Sequence, residues 1–398
     1  MIRLVYLLLA LIISFKIYAK EHKGLTYNRY EKDKHVIHVL TIDPKNFRLK
    51  LAKAHNQVID RETVDAIACR TNAVAAINAG SFEIAGSDDG RPSLTLMVDG
   101  KLFSLRKQLQ SLLIIDQNNI QITKASAKIS VDIGDKSVIP NQVNYFSNLK
   151  DITFYNDVWA STTLTPYTNK EILIDQNLII MDISNHGDNQ IPQKGFVLSF
   201  PKEVSLPIVN INDSVKLNLE FIDKDGKPIN LSKTASVVIG IPVLVQNGKN
   251  IVDNLKQNDS AHARTALGVR NDSTIVIVVA EHIYKQHVKD LKLVQARLIL
   301  RKEKGVTFEK LTLPEALKIL EKHLVNDTVI GLTKTELADY MLNLGCESAI
   351  NLDSGGSSTL FMDRKIINNV TGDEDGALGE HTVRPVSDAI VIIPNNID

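Results

Sequence analysis

The sequence predicts an α+β fold, with a mixed β-sheet core and flanking helices in a single large domain with a strand-rich middle region. Three observations point there. Apolar residues recur with a period of two over much of the chain, as in HVIHVLTIDP and FRLKLAKA. A run of β-branched residues, STIVIVVAEH from Ser273 to His282, reads as a central strand covered on both faces. Two stretches, TLPEALKILEKHLV and the segment after Thr333, carry helical spacing. The 398 residues are 44% hydrophobic and 23% charged, an ordinary globular balance, and could form one large domain or two smaller ones. A formal net charge of zero speaks against a chain-wide basic surface for nucleic acid.

Residues 1–19 read as a signal peptide. Arg3 gives a positive start, Leu4 to Ser14 is apolar, and Ala19 suits a cleavage site. The expected mature protein is secreted or periplasmic. It keeps no stable membrane span, because the apolar run is short and no later segment is long enough. Residues 20–75 are expected to hold N-terminal strands and a short helix, RETVDAIACR. Residues 76–398 form the main domain, with a helical insertion at about 283–330. Asp99-Gly100 and the Asn pair after Gln117 mark hairpin turns. Asp223 to Lys227 resembles a calcium loop but lacks the distal glutamate, so a hairpin turn is expected. Thr333 to Glu336 forms a capping box, and Gly345 is placed as the left-handed stop of that helix. Cys69 and Cys346 could pair in an exported protein, or could be two free thiols. Asn-x-Ser/Thr triplets such as Asn212 to Ser214 matter only in a eukaryotic secretory pathway.

The chemistry concentrates in SAINLDSGGSSTLF, Ser348 to Phe361. Asp353 follows a buried-looking strand, where partial desolvation would raise its pKa and a nearby cation would lower it. Gly355 and Gly356 offer backbone amides, and Ser357, Ser358 and Thr359 add hydroxyls, so the stretch reads as an acid beside an anion cradle. A Gly-Ser loop with an Asx turn is the plainer alternative. The serines lack the Gly-x-Ser-x-Gly elbow of a hydrolase nucleophile, and no phosphate-binding P-loop is present. AINAGS, from Ala76, echoes AINLDSG, from Ala349, which suggests that Asn78 and Asn351 face one cleft from two strand ends.

Within HARTALGV, Arg264 suits a phosphate clamp, His262 a proton carrier, and Thr265 a hydroxyl contact. Asn78 can read sugar hydroxyls, and Glu83 is a second carboxylate candidate. Trp159, with Tyr155 close by, could stack on a sugar, although a single tryptophan more commonly packs in a core. Glu281-His282 would sit at the end of the central strand.

Taken together, these stretches resemble the phosphodiester glycosidase domain family, relatives of N-acetylglucosamine-1-phosphodiester α-N-acetylglucosaminidase. The family pattern runs Asn-Gly-x-Phe-Phe, His-Pro-Arg-Thr-Ala-hydrophobic-Gly, Gly-hydrophobic-Thr-x-x-Glu-Leu-Ala, then Asn-Leu-Asp-Gly-Gly-Gly-Ser-Ser-Thr. Here the matching stretches are Asn78 to Phe82, His262 to Gly268, Gly331 to Ala338 and Asn351 to Thr359, closing with Arg384 to Ala389. Ser354 stands where the family has glycine, Ala263 where it has proline, and Ala280-Glu281-His282 where it has Asp-Gly-Arg.

The resemblance implies hydrolysis of a sugar-1-phosphodiester on an exported glycan or glycoconjugate, with neither cofactor nor metal. Asp353, Arg264 and Asn78 would be catalytic. Glu83, Trp159, His262, Thr265, Gly355, Gly356, Ser357 and Ser358 would bind the sugar-phosphate. Two alternatives stand beside this. One is a non-catalytic binding module for cell-envelope glycans or phosphate-bearing polymers. The other, weaker on ligand spacing, is a metal-dependent hydrolase using Asp353, Glu281 and His282.

Overall fold

The computed structural model describes residues 22–252, 259–283, 329–372 and 382–395, with 300–301, 311–312, 314–316 and 318 between them. The signal-peptide segment and most of the expected helical insertion lie outside the described residues.

The α+β expectation is corrected: the protein is mostly β, with 45% strand and 9% helix. Two of the helical patterns yield short elements on the outside of a sheet, while most of TLPEALKILEKHLV lies outside the described residues. Val64–Arg70 places Val64, Ile67 and Ala68 against one sheet, and Lys334–Asn343 places Leu337, Ala338 and Met341 against another. The alternating segments dominate because tight turns join them into antiparallel ladders. Asp99 (φ 46°) and Gly100 (φ 77°) turn Leu96–Val98 into Lys101–Ser104. Asp223 to Lys227 is a hairpin as expected, with the Asp223 carboxylate accepting the amides of Asp225 and Lys227.

Two sheets position the site. The first runs Leu25–Lys32, His35–Ile42, Ile275–Ala280, Arg264–Arg270, Cys346–Asn351, Val243–Gln246 and Lys249–Asn250. All six residues of Ile275–Ala280 are buried, as the β-branched run requires. The second runs Lys365–Ile366, Leu360–Met362, Ala75–Asn78, Asp388–Pro394 and Phe47–Lys53. The N-terminal strands are therefore woven into the same sheets as the C-terminal half. Leu40, Leu267, Ile277 and Ile350 of the first sheet share a core with Leu51, Ile77, Leu360 and Ile390 of the second.

The strand-rich middle builds two further sheets around their own core, which includes Ile129, Phe154, Phe196 and Val237. Every named pairing is antiparallel except Gln142–Val143 with Thr153–Asn156. Cys69 and Cys346 are free thiols, Cys69 exposed and Cys346 buried. Burial pushes the Cys346 thiol up to about 11. Among the described residues no helix is long and apolar enough to cross a membrane.

Candidate active site

Strand register brings distant motifs together. Ala266 pairs with Asn351, so the chain leaving Cys346–Asn351 emerges beside Thr265, and the Leu352 amide donates to the Thr265 carbonyl at 2.8 Å. In the second sheet Asn78 pairs with Ala389, which brings Asp388 beside the turn after Asn78.

Asn78 closes the gap between the sheets. It is fully buried at the end of Ala75–Asn78. Its Nδ2 donates to the Asp353 carbonyl at 2.8 Å. Its Oδ1 accepts from the Thr265 hydroxyl at 2.8 Å and the Thr359 amide at 3.2 Å. Backbone bonds add to this: the Asp353 amide donates to Ala79 and the Gly355 amide to Ala263, each at 2.8 Å. A buried amide with its donor and acceptor sides both engaged holds its neighbours in one geometry.

Asp353, Asn351, Ser354, Ser81, Arg264 and Lys334 line an open cleft of about 220 Å³. Burial raises the Asp353 pKa above the usual carboxylate range, and the nearby Asp388 adds to the rise. The Ser357 hydroxyl, the Ser354 amide and Arg384 pull the other way without reversing it. The carboxyl group therefore holds its proton to higher pH than an exposed aspartate, as a general acid requires.

Arg264 is 4% exposed. Its Nε donates to the Leu332 carbonyl at 2.9 Å and a terminal nitrogen to the Ser260 carbonyl at 2.7 Å. Burial lowers its pKa, and Asp259 opposes that shift. His262 bonds Ser260 through Nε2 and meets His282 edge-on at 6.0 Å. Burial, then Arg264 and Lys334, hold the His262 pKa down, which favours the neutral ring.

Glu281 lies elsewhere. It is 1% exposed, accepts from His38 Nε2 at 2.8 Å, and takes the Asn369 amide at 2.7 Å. Among the described residues, no group of three His, Cys, Asp or Glu is placed to hold a metal, and Glu281 does not join Asp353 in a ligand set.

Several sequence candidates are not brought to the cleft lining. Glu83 sits in the loop after Gly80, 3.6 Å from Arg91. Trp159 is buried against Phe146 and Tyr155, and its indole N–H donates to the Thr163 carbonyl, so its ring face is closed to a sugar. Tyr155 is fully buried with it.

The cradle of free amides also differs from expectation. The Gly355 amide is engaged by Ala263, and a Cβ on Gly356 would lie 2.3 Å from Cζ of Arg384, so the guanidinium covers that glycine. Ser357, Ser358 and Thr359 are fully buried beneath the loop. Of the two asparagines expected to share a cleft, Asn351 lines it and Asn78 braces it from behind.

Asp388 and Lys334 are among the residues at the site that went unassigned in the sequence. Asp388 is fully buried, and its Oδ1 accepts the Gly80 amide at 2.7 Å. Burial raises its pKa too, against the opposing pull of the Gly80 amide, Lys53 and Ser387. Lys53 is itself buried, which lowers its pKa to about 8. The signal for Asp388 was a carboxylate opening the apolar run DAIVIIP. For Lys334 the only signal was its place beside a helix cap.

This β architecture, with an acid held between two sheet ends beside buried cations, defines a class. The chain belongs to the phosphodiester glycosidase family, whose pattern matches residues 171–307 and 322–393. An uncharacterized protein of Rickettsia conorii is 82% identical over 279 residues, 69% of this chain and 99% of that protein.

The fold is shared with a hypothetical protein from Synechocystis, at TM-score 0.62 and 15% identity over 94% of this chain. The chain spans 62% of that protein's length. A Burkholderia pseudomallei protein described as exported has TM-score 0.62 and 19% identity, covering 93% of this chain and 75% of its own.

Proposed function

We propose that the protein hydrolyses a sugar-1-phosphodiester on an exported glycan or glycoconjugate. Asp353 protonates the departing phosphate oxygen as the C1–O bond breaks, water supplies the hydroxyl to the anomeric carbon, and the proton that water releases restores the Asp353 carboxyl. The products are a free sugar and a phosphate monoester. The leaving group is already a stable anion, so fixed positive charge from Arg264 and Lys334 matters more than strong protonation. A second carboxylate on the opposite ring face, as in ordinary glycosidases, is then not required.

The observation that carries this reading is the buried Asn78, which ties Asp353 to the strand bearing Thr265 and Arg264. Family membership supports the reaction class. The signal-peptide pattern of residues 1–19 supports action outside the cytoplasm.

Replacing Asp353 with Asn should lower kcat by at least about a hundredfold, the usual reach of general acid catalysis. Thermal stability should not fall. A carboxyl whose folded pKa is raised makes its full contribution to stability below its usual value of 3.8 and loses that contribution as pH rises through the folded value. At neutral pH asparagine therefore removes a cost. Sugar release from a synthetic sugar-1-phosphodiester measures this, and wild-type turnover in the variant would remove Asp353 from its role.

A second reading, glycan binding without hydrolysis, draws on Glu281. It stands where the family carries Asp-Gly-Arg, and its carboxylate is engaged by His38 and Asn369 away from the cleft. Binding without sugar release in the same assay would favour it.

A further inference from the structure

Among the described residues, one lysine on the wall of the cleft around Asp353 has no hydrogen-bond or ion-pair partner for its side chain. Arg264 is steadied by Asp259 and donates to two carbonyl oxygens. Asp353 keeps its proton beyond the usual range. Lys334 is half-buried on the cleft wall, and its ammonium makes no hydrogen bond or ion pair among the described residues.

The helix that Lys334 opens is not itself the anion site. Its first amides are occupied by the Asp259 carboxylate, which accepts from Lys334 N at 2.6 Å and Thr335 N at 2.9 Å. The same bonds fix the backbone from which the Lys334 side chain reaches the cleft. A lysine on a cleft wall that makes no ion pair among the described residues leaves its ammonium available to a bound anion, to which it can make charge-assisted hydrogen bonds.

We propose that Lys334 is the substrate-contacting cation that selects phosphate-bearing sugars over neutral glycosides, with its ammonium on a non-bridging phosphate oxygen. This rests on the reading of the cleft given above and names the residue that sets its ligand class. Lys334 occupies one of the two unspecified positions in Gly-hydrophobic-Thr-x-x-Glu-Leu-Ala, so the motif itself does not name it. The ammonium is a point charge, so it favours charge over shape, while Arg264 is held rigidly at the back.

The test is calorimetric titration of the purified protein with glucose 1-phosphate and with inorganic phosphate, using wild type, K334A and K334R. K334A should bind glucose 1-phosphate about tenfold more weakly, with less dependence on salt. K334R should stay close to wild type, and the melting temperature of K334A should be unchanged. Equal affinity in K334A and wild type overturns the proposal, as does a wild type that binds neither probe. Turnover of a sugar-1-phosphodiester, followed in parallel, separates the two claims. Lys334-dependent binding without sugar release removes the hydrolase reading and leaves this one standing. Hydrolysis with unchanged KM in K334A does the reverse.

Discussion

Asp353 and Asp388 lie on either side of the Asn78–Gly80 turn, one donating its amide to Ala79 and the other accepting the Gly80 amide. Burial raises the pKa of both, and Asp388 adds to the rise at Asp353. Asp388 thus acts on the acid without lining the cleft, as a positioning residue. Replacing it with Asn keeps an acceptor for the Gly80 amide and removes the charge. The Asp353 pKa should then fall toward 3.8, and with it the pH at which the acid loses its proton. The alkaline limb of kcat/KM against pH should therefore move to lower pH in Asp388→Asn. A limb that stays in place assigns the tuning to burial of Asp353 alone. Asp353 was a candidate in the sequence, where an Asx turn in a Gly-Ser loop explained the same residues equally plainly. Asp388 was not, because a carboxylate at the head of an apolar strand looks the same whether solvent or a second acid faces it.

The helix Lys334–Asn343 is the element whose ends the sequence described most fully. The Thr333 hydroxyl accepts from the Glu336 amide at 3.1 Å, and Glu336 reaches back to the Thr333 amide at 2.8 Å. Gly345 follows with φ 82°, a conformation that costs a side chain about 1 kcal/mol. Capping is local chemistry within four residues, so it can be read without knowing the fold. Thr333→Ala should destabilise the protein by about 1 kcal/mol in urea denaturation. It should also weaken phosphate-ester binding, since the cap sets where Lys334 begins. Trp159 is the opposite case. Its composition and neighbours fit a sugar platform as well as a core, and only packing against Phe146 and Tyr155 decides between them.

Across the whole molecule, the two cysteines give a direct check on how the sheets assemble. Cys69 is exposed on the helix that covers the second sheet, while Cys346 is buried in the first. A thiol reagent should label Cys69 in the native protein and reach Cys346 only after denaturation, and dithiothreitol should leave the melting temperature unchanged. Labelling of neither thiol until reduction would instead indicate a disulfide and a different arrangement of these sheets.

Taken alone, the chain determined its strands, its turns, the helix caps and the family motifs, because each depends on residues within a few positions of one another. It also marked Asp353 and Arg264 by residue type and setting. Tertiary structure decided the mostly β architecture, the burial of Trp159, the covering of Gly356 by Arg384 and the presence of Asp388 and Lys334 at the site. Those outcomes depend on which strand ends meet and how deeply each group lies, and strand register across hundreds of residues sets both.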